Sequence, residues 1–347
     1  MPHAPPLGAL LRQYGAGSAL SCEPVEQGLL NRGYRLCTTR GRYFLKHHFD
    51  PETADPAAIA RQHRATQRLA DLGVPVAPPL PARDGRTVAV VGGHAYALHP
   101  WIDGRHRHGG QLGTGQCERL GALLGVVHAS LEDVMSARAR GRAEAQGTAR
   151  ACAEPPGAVG SADPADTFAL IDELLGHVRR HHPADSFDEL ARHRLLERRA
   201  LLERHADRRP PRGGSVGWVH GDFHPFNLLY RGDAPAAIVD WDRLGLRPRA
   251  EEAVRAAAIF FVRPAGALDL PKVRAYAHAY RRAAGAAPSE LAAAVHRVWW
   301  ERLNDFWMLR WHYERGDTRA DPQFPASSAL AVWWTREYEA VCDAFAG

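Results

Sequence analysis

One stretch constrains this chain more than any other: Trp218-Val219-His220-Gly221-Asp222-Phe223-His224-Pro225-Phe226-Asn227-Leu228-Leu229-Tyr230, followed closely by Ile238-Val239-Asp240-Trp241-Asp242. An apolar run, Val216 to Val219, delivers an acid, Asp222, to a loop stiffened by Pro225. A short strand from Asn227 to Tyr230 then turns at Arg231-Gly232-Asp233 and returns as a β-branched strand that ends on a second acid, Asp240. The pattern predicts a hairpin with a carboxylate at each end.

Such a hairpin suits phosphoryl transfer. Moving a γ-phosphoryl group to a hydroxyl is chiefly positioning and charge neutralisation, because the transition state is loose and little covalent work falls to the protein. One carboxylate must hold the acceptor hydroxyl, and Mg2+ takes hard oxygen ligands, which an Asp and an Asn amide oxygen supply. Asp222, Asp240 and Asn227 match those three needs.

The motif His220-x-Asp222-x4-Asn227, followed by Asp240, resembles the catalytic loop and metal-binding aspartate of the protein-kinase-like fold. Gly221 and the His224-Pro225 pair give it the form of aminoglycoside phosphotransferases and their small-molecule kinase relatives. The resemblance implies an α+β, bilobal protein-kinase-like fold, with a small β-rich N-terminal lobe over residues 1–99 and a large α-helical lobe over 100–347. It implies Asp222 as catalytic base, Asn227 and Asp240 as Mg2+ ligands, His220 as a support of the loop, and His224 where protein kinases place a phosphate-contacting lysine. Asp240-Trp241-Asp242 departs from the Asp-Phe-Gly of protein kinases in the direction of the small-molecule kinases. Asp242 is expected to be a solvated loop acid, since one carboxylate and the Asn suffice for the metal.

Composition singles out a partner upstream. Lys46 and Lys272 are the only lysines in a chain that otherwise uses arginine. Lys46 ends the strand-like run Arg42 to Lys46, where an ammonium on a flexible stem reaches nucleotide phosphates. Ahead of it, Gln27-Gly28-Leu29-Leu30-Asn31-Arg32-Gly33-Tyr34 joins two candidate strands, and its glycines would let backbone amides approach phosphate. A helix is expected from Pro56 to Leu72, stopped by Gly73 and Pro75; it offers Gln62 where related sequences read Glu opposite the strand lysine. Lys46 would then be held otherwise, for example by Asp240, or Gln62 lies on the helix surface. Thr87 to Val91 and His94 to His99 form a hairpin through Gly92-Gly93, and Pro100 to Gly104 resembles the hinge that binds the purine. The nucleotide-contacting set implied by the resemblance is Gly28, Asn31, Lys46, His99, Trp101, Leu229 and Val239.

The rest reads as helix: Leu112 to Ser130, Pro164 to His182, Phe187 to Ala206, Arg249 to Phe261, Pro271 to Ala284, Ser289 to Glu314 and Phe324 to Phe345. Between them Ser136 to Asp163 is poor in large apolar residues and is expected to be an insertion or lid. Trp300, Trp307 and Trp311 share one helical face, which reads as core, while nearby Glu301, Asp305, Glu314 and Asp317 read as solvated. His47-His48, His106, His108 and His181-His182 read as surface histidines, without a partner set for zinc.

The 347 residues are ample for two lobes, and 45% hydrophobic with 24% charged residues describes an ordinary globular chain. A net charge of +5 comes from arginines interleaved with acids, so no nucleic-acid partner is expected. No membrane-length apolar run occurs, the first residues lack a signal pattern, and five scattered cysteines suit reduced thiols; a cytoplasmic location is expected. The resemblance implies ATP or GTP as donor with Mg2+, and a small-molecule hydroxyl acceptor, an antibiotic of aminoglycoside or sugar-bearing nucleoside type. The alternatives are a metabolic kinase of homoserine, choline or methylthioribose type, a nucleotide-binding pseudo-kinase suggested by Gln62, and a protein kinase, against which the missing Ala-Pro-Glu segment speaks.

Overall fold

The structure, a computed structural model, describes residues 4–25, 31–49, 54–146, 160–211 and 213–347, and for 136–146 the helical backbone alone. Gly28, Cys152 and residues 147–159 of the expected insertion lie outside the described residues. The chain divides into two compact units. The first comprises Met1–Arg107, Val127–Arg150 and Trp218–Gly245; the second His108–Val126, Ala151–Gly217 and Leu246–Gly347.

The first unit is built on a five-stranded antiparallel sheet. Its strands are β1 (Ala19–Val25), β2 (Arg32–Thr38), β3 (Gly41–His48), β4 (Ala89–Val91) and β5 (His94–Pro100), in the order β1-β2-β3-β5-β4. Alternation sorts its side chains by face. Leu36, Leu45, Tyr96 and Leu98 form a core with Leu10 and Leu11 of helix α1 (Leu7–Tyr14), an element with no counterpart in the sequence reading. Lys46 and His48 sit on the other face of β3. Gly33 lies inside β2, opposite Lys46, and a Cβ there would stand 2.6 Å from the Phe44 ring. Its missing side chain makes room for that ring. Helix α2 (Pro56–Asp71) starts where expected, because Asp55 accepts the Ala57 and Ala58 amides and Pro56 fits the first turn.

The predicted hairpin forms within the same unit, with shifted bounds. A 3-10 turn takes Pro225–Asn227, β7 spans Leu228–Arg231 and β8 spans Ala234–Ile238, after β6 (Val216–Val219). Tyr230 and Arg105 exchange both backbone hydrogen bonds at 2.9 Å, and Ile238 N–H donates to Pro75 O at 2.8 Å, which fastens the hairpin to the segment after β5 and to the loop after α2.

The second unit is helical. Helix α3 (Thr114–Gln146), whose residues from Val127 onward belong to the first unit, outruns the expected stop at Ser130 and runs into the segment read as an insertion; α4 (Pro164–Arg180) and α5 (Ser186–His205) follow. After β9 (Gly245–Pro248) come α6 (Arg249–Phe260), α7 (Leu270–Ala284), α8 (Pro288–Asn304), α9 (Trp307–Arg315), α10 (Phe324–Arg336) and α11 (Tyr338–Ala346).

Two expected long helices are therefore broken. Asp305 accepts the Trp307 amide at 3.1 Å and starts α9 anew, while Glu337 leaves helical geometry and turns Tyr338 onto His296 at 2.8 Å. The tryptophan face is split as a result. Trp299, Trp300 and Trp334 are fully buried, whereas Trp307 and Trp311 are half-buried and pack edge to face. The acids read as solvated are paired: Glu301 with Arg255 at 2.6 Å, Glu314 with Arg310 at 2.9 Å and Asp317 with Arg319 at 2.7 Å. His47 and His48, read as surface, are buried. His47 stacks on Tyr96 of the same sheet at 4.5 Å, and His48 lies 6.5 Å from the His63 ring of α2.

Candidate active site

The loop after β6 is tied together by one buried histidine. His220 accepts the Asp222 amide on Nδ1 at 3.2 Å and donates Nε2–H to Val239 O at 3.0 Å, which fixes its tautomer and joins the loop to the segment carrying Asp240. Trp241 packs on the same ring at 4.5 Å and is itself buried. Asn227 closes the loop. Its amide nitrogen donates to Asp222 O at 2.9 Å, and its backbone carbonyl accepts Val239 N–H at 3.0 Å. With the nitrogen committed to the loop, the amide oxygen is presented on the opposite side.

Gly221 is required by geometry. Its φ is +88°, and a Cβ would lie 2.1 Å from Arg243 O. The close passage of Arg243 also brings a guanidinium near Asp222. Burial pushes the Asp222 carboxyl up, but His224, whose Nε2 stands 3.6 Å from Oδ2, and the charges of Arg243 and His220 hold it below the ordinary aspartate value. Asp222 is thus ionised at neutral pH, with its side chain 36% exposed.

Lys46 holds two carboxylates, Asp240 Oδ1 and Asp242 Oδ2, both at 2.7 Å. The ammonium is buried, which alone would push its pKa down; the two carboxylates more than offset this and raise it. Asp240 is correspondingly lowered by Lys46 against its own burial, whereas Asp242, buried beside another carboxylate, is raised. Asp240 has φ +61°, the left-handed region, the one non-glycine in that state among the described residues. Strain of that kind is held in place by the surrounding bonds and concentrates at functional sites.

Asp242 is not the solvated acid expected from the sequence. Its side chain is 14% exposed, salt-bridged to Lys46 and hydrogen-bonded by Asn31 Nδ2, and its carbonyl accepts Gln62 Nε2–H at 2.8 Å. Gln62 therefore faces the site but meets the backbone of Asp242. The sequence undervalued both residues, although the Asp-x-Asp spacing at Asp240 and Asp242 was an available signal.

The other expected nucleotide contacts are placed as follows. Asn31 bridges Asp242 and the Phe49 amide. His99 donates Nδ1–H to Ala77 O at 3.0 Å; Trp101 gives its amide to Arg42 O at 3.1 Å and stacks under Arg35. Leu229 and Val239 are partly buried beside the hairpin. For Mg2+, Asp240 and Asn227 offer hard oxygen donors, and two protein ligands suffice when phosphates and water complete the octahedron. Among the described residues no cluster of three or more His, Cys, Asp or Glu side chains is arranged to hold a metal by itself.

A family model, that of the phosphotransferase enzyme family, APH, matches residues 21–288. The chain belongs to this family. As an APH-family phosphotransferase it has the bilobal kinase-like α+β fold. A homoserine kinase of Neisseria meningitidis is 26% identical over 297 residues, covering 85% of this chain and 87% of that one. A homoserine kinase of Sinorhizobium fredii is 24% identical, and the chain spans 62% of its length. The structure of spectinomycin phosphotransferase APH(9)-Ia, solved with ADP and spectinomycin, aligns over 100% of this chain and 99% of that chain, with TM-score 0.60 and 14% identity. At that identity it attests the fold. No helix among the described residues is long and apolar enough to cross a membrane.

Proposed function

We propose that this phosphotransferase moves the γ-phosphate of ATP or GTP, with Mg2+, to a hydroxyl of a small antibiotic of aminoglycoside or sugar-bearing nucleoside type, and so confers resistance. The observation that carries the reaction is the division of labour among three acids. Asp240 and Asp242 are engaged by Lys46, while Asp222 is ionised, partly exposed and free of the ammonium. Asp222 orients the acceptor hydroxyl and takes its proton as the oxygen–phosphorus bond forms and the bond to the nucleoside diphosphate breaks. Lys46 steadies the donor phosphates. Asn227 and Asp240 would hold Mg2+, which when bound offsets the charge gathering on the phosphate oxygens.

The antibiotic acceptor is supported by the end-to-end likeness to a spectinomycin phosphotransferase. A second reading, an amino-alcohol metabolite such as homoserine, is favoured by the relative that is 26% identical across 85% of the chain. A pseudo-kinase is disfavoured because Lys46, Asp222, Asn227 and Asp240 are all in place. The deciding experiment is a mass-spectrometric screen of the purified protein with Mg2+, ATP and GTP in parallel, against aminoglycosides, nucleoside antibiotics, homoserine, choline and methylthioribose. A mass gain of one phosphate on an antibiotic supports the first reading. Efficient transfer to a primary metabolite alone overturns it, and transfer to no hydroxyl with either donor overturns the kinase reading.

A further inference from the structure

Lys46 carries an ammonium that is 11% exposed and stands at the same distance, 2.7 Å, from two carboxylates, Asp240 Oδ1 and Asp242 Oδ2. Among the described residues no other acid forms an ion pair with it. The two partners differ in how they are held. The Asp240 side chain is 43% exposed, that of Asp242 14%. Asp242 is also fastened from two further sides. Asn31 Nδ2 donates to the same Oδ2 that meets Lys46, while Asn31 Oδ1 accepts the Phe49 amide at 3.0 Å, which ties Asp242 to the residue that follows β3, the strand of Lys46. From α2, Gln62 Nε2–H donates to the Asp242 carbonyl at 2.8 Å.

This difference decides which carboxylate can leave the lysine. A metal ion competes with an ammonium for the same carboxylate oxygens, so Asp240 cannot serve a metal and hold Lys46 to the same extent. A buried ammonium left without a carboxylate would bear its full desolvation cost. Helix α2 offers no replacement, because position 62 is a neutral amide. Asp242, sheltered from water and fastened toward both β3 and α2, is the partner that stays.

We infer that Asp242 is the positioning residue of Lys46: it keeps the ammonium aimed at the donor phosphates and so frees Asp240 to serve as a metal ligand. The inference rests on the phosphotransferase reading for the role of Lys46, and it gives Asp242 no contact of its own with phosphate or metal. Asn31 and Gln62 act one step behind, Asn31 on the carboxylate and Gln62 on the backbone that carries it.

The chain has two lysines, which makes the ammonium directly observable. The full chain with isotope-labelled lysine gives two side-chain ammonium signals by NMR, Lys272→Arg identifies that of Lys46, and its proton exchange with water reads how firmly it is held. In nucleotide-free protein the exchange is expected to be slow in the wild type and in Asp240→Asn, and at least about 10-fold faster in Asp242→Asn, the scale of one lost charge-assisted contact. Asp242→Glu, which keeps the charge, exchanges more slowly than Asp242→Asn. Gln62→Ala frees the Asp242 carbonyl with both carboxylates in place and exchanges faster than the wild type, a second test should Asp242→Asn not fold. Equal exchange in Asp240→Asn and Asp242→Asn, faster exchange in the former, or wild-type exchange in Gln62→Ala each overturns the assignment. Turnover with an acceptor found in the screen shows whether Asp242 acts through the lysine: Asp242→Asn lowers it at least about 10-fold when Lys46 is present and no further in Lys46→Met. An added loss in the Lys46→Met background overturns the positioning role. A wild type that transfers phosphate to nothing defeats the phosphotransferase reading, whereas the exchange measurement, which needs neither nucleotide nor acceptor, decides the hold of Asp242 on Lys46.

Discussion

The histidines beneath Lys46 make the first unit acid-labile, and the effect can be worked out ring by ring. His48 on β3, His63 on α2 and His99 on β5 pack together, with ring centroids 6.5 Å apart for His48–His63 and 5.6 Å for His63–His99. His63 Nδ1 pairs with Thr87 Oγ1 at 2.8 Å and His99 with Ala77 O, while both nitrogens of His48 are buried without partners. Burial is the largest cause of their lowered pKa values, about 3 for His48, about 2 for His63 and about 4 for His99; Lys46 pushes the same way at all three and the neighbouring rings at His48 and His63, while the bond to Ala77 O opposes at His99 and Asp240 at His48 and His99. The folded unit keeps all three neutral where the unfolded chain, titrating near 6.5, takes up protons. Their contribution to stability is complete above pH 6.5 and is lost as pH falls toward the folded values.

Each depressed ring costs about 1.4 kcal/mol of stability per pH unit below 6.5, hence about 2 kcal/mol at pH 5 for His48 alone and about 6 kcal/mol for the three. Against a total of about 5–15 kcal/mol for an ordinary domain, that brings unfolding into mild acid. Urea titrations at half-unit steps from pH 7.5 to 4.5, for the wild type and His48→Leu, measure the slope of stability on pH. Because His48 makes no hydrogen bond, leucine removes only the titration and keeps the bulk. The variant is expected to be more stable than wild type by about 2 kcal/mol at pH 5 relative to its difference at pH 7.5, with one proton fewer in the slope. Parallel pH profiles for the two proteins would refute the argument.

Asp222→Asn is expected to leave nucleotide affinity nearly unchanged by calorimetry while lowering turnover about 10²–10⁴-fold in a product assay; wild-type turnover would remove Asp222 from the mechanism. Asp240→Ala should weaken Mg2+-dependent nucleotide binding more than Asn227→Ala, because it removes a charge and not a dipole; a magnesium titration with the reverse order refutes the ligand assignment. Asp242→Ala strands the Asn31 amide and half of the Lys46 coordination, at a cost of about 1–3 kcal/mol in urea unfolding. Gly221→Ala combines positive φ with the Arg243 clash and should cost about 3 kcal/mol or more together with most of the turnover; a silent variant would show that the loop yields. Gln62→Glu sets a carboxylate against the Asp242 carbonyl in place of a donor and should reduce activity more than Gln62→Ala.

Much of the fold was readable because its signals are local. Asp55-Pro56 starts α2 and Gly92-Gly93 turns β4 into β5 through capping and turn chemistry that acts within four residues. Helix bounds failed at two points. Asp305 caps Trp307 inside a continuous helical pattern that masks so local a signal, and no period in the sequence records that Tyr338 is drawn to His296, 42 residues away. The buried histidines were missed for a related reason: neutral imidazole packs as a flat, half-apolar ring, but by composition His47-His48 looks like a polar surface pair.

At the candidate site, the sequence points to residues spaced along one loop, which the structure brings together, and missed those whose contacts follow from charge balance across the fold. Asp222, Asn227 and Asp240 follow from one motif. That Lys46 takes two carboxylates follows only from its burial: a single carboxylate would leave part of a desolvated ammonium unsatisfied, and Asp242 supplies the second partner at the same distance as the first. A glutamate at position 62 would then add a third negative group beside one ammonium. Gln62 instead donates to the Asp242 carbonyl, orienting the second carboxylate without adding charge. The departure from the expected glutamate and the unexpected burial of Asp242 are thus one feature, a lysine clamp made from the two acids of Asp240-Trp241-Asp242 and held from behind by a neutral amide.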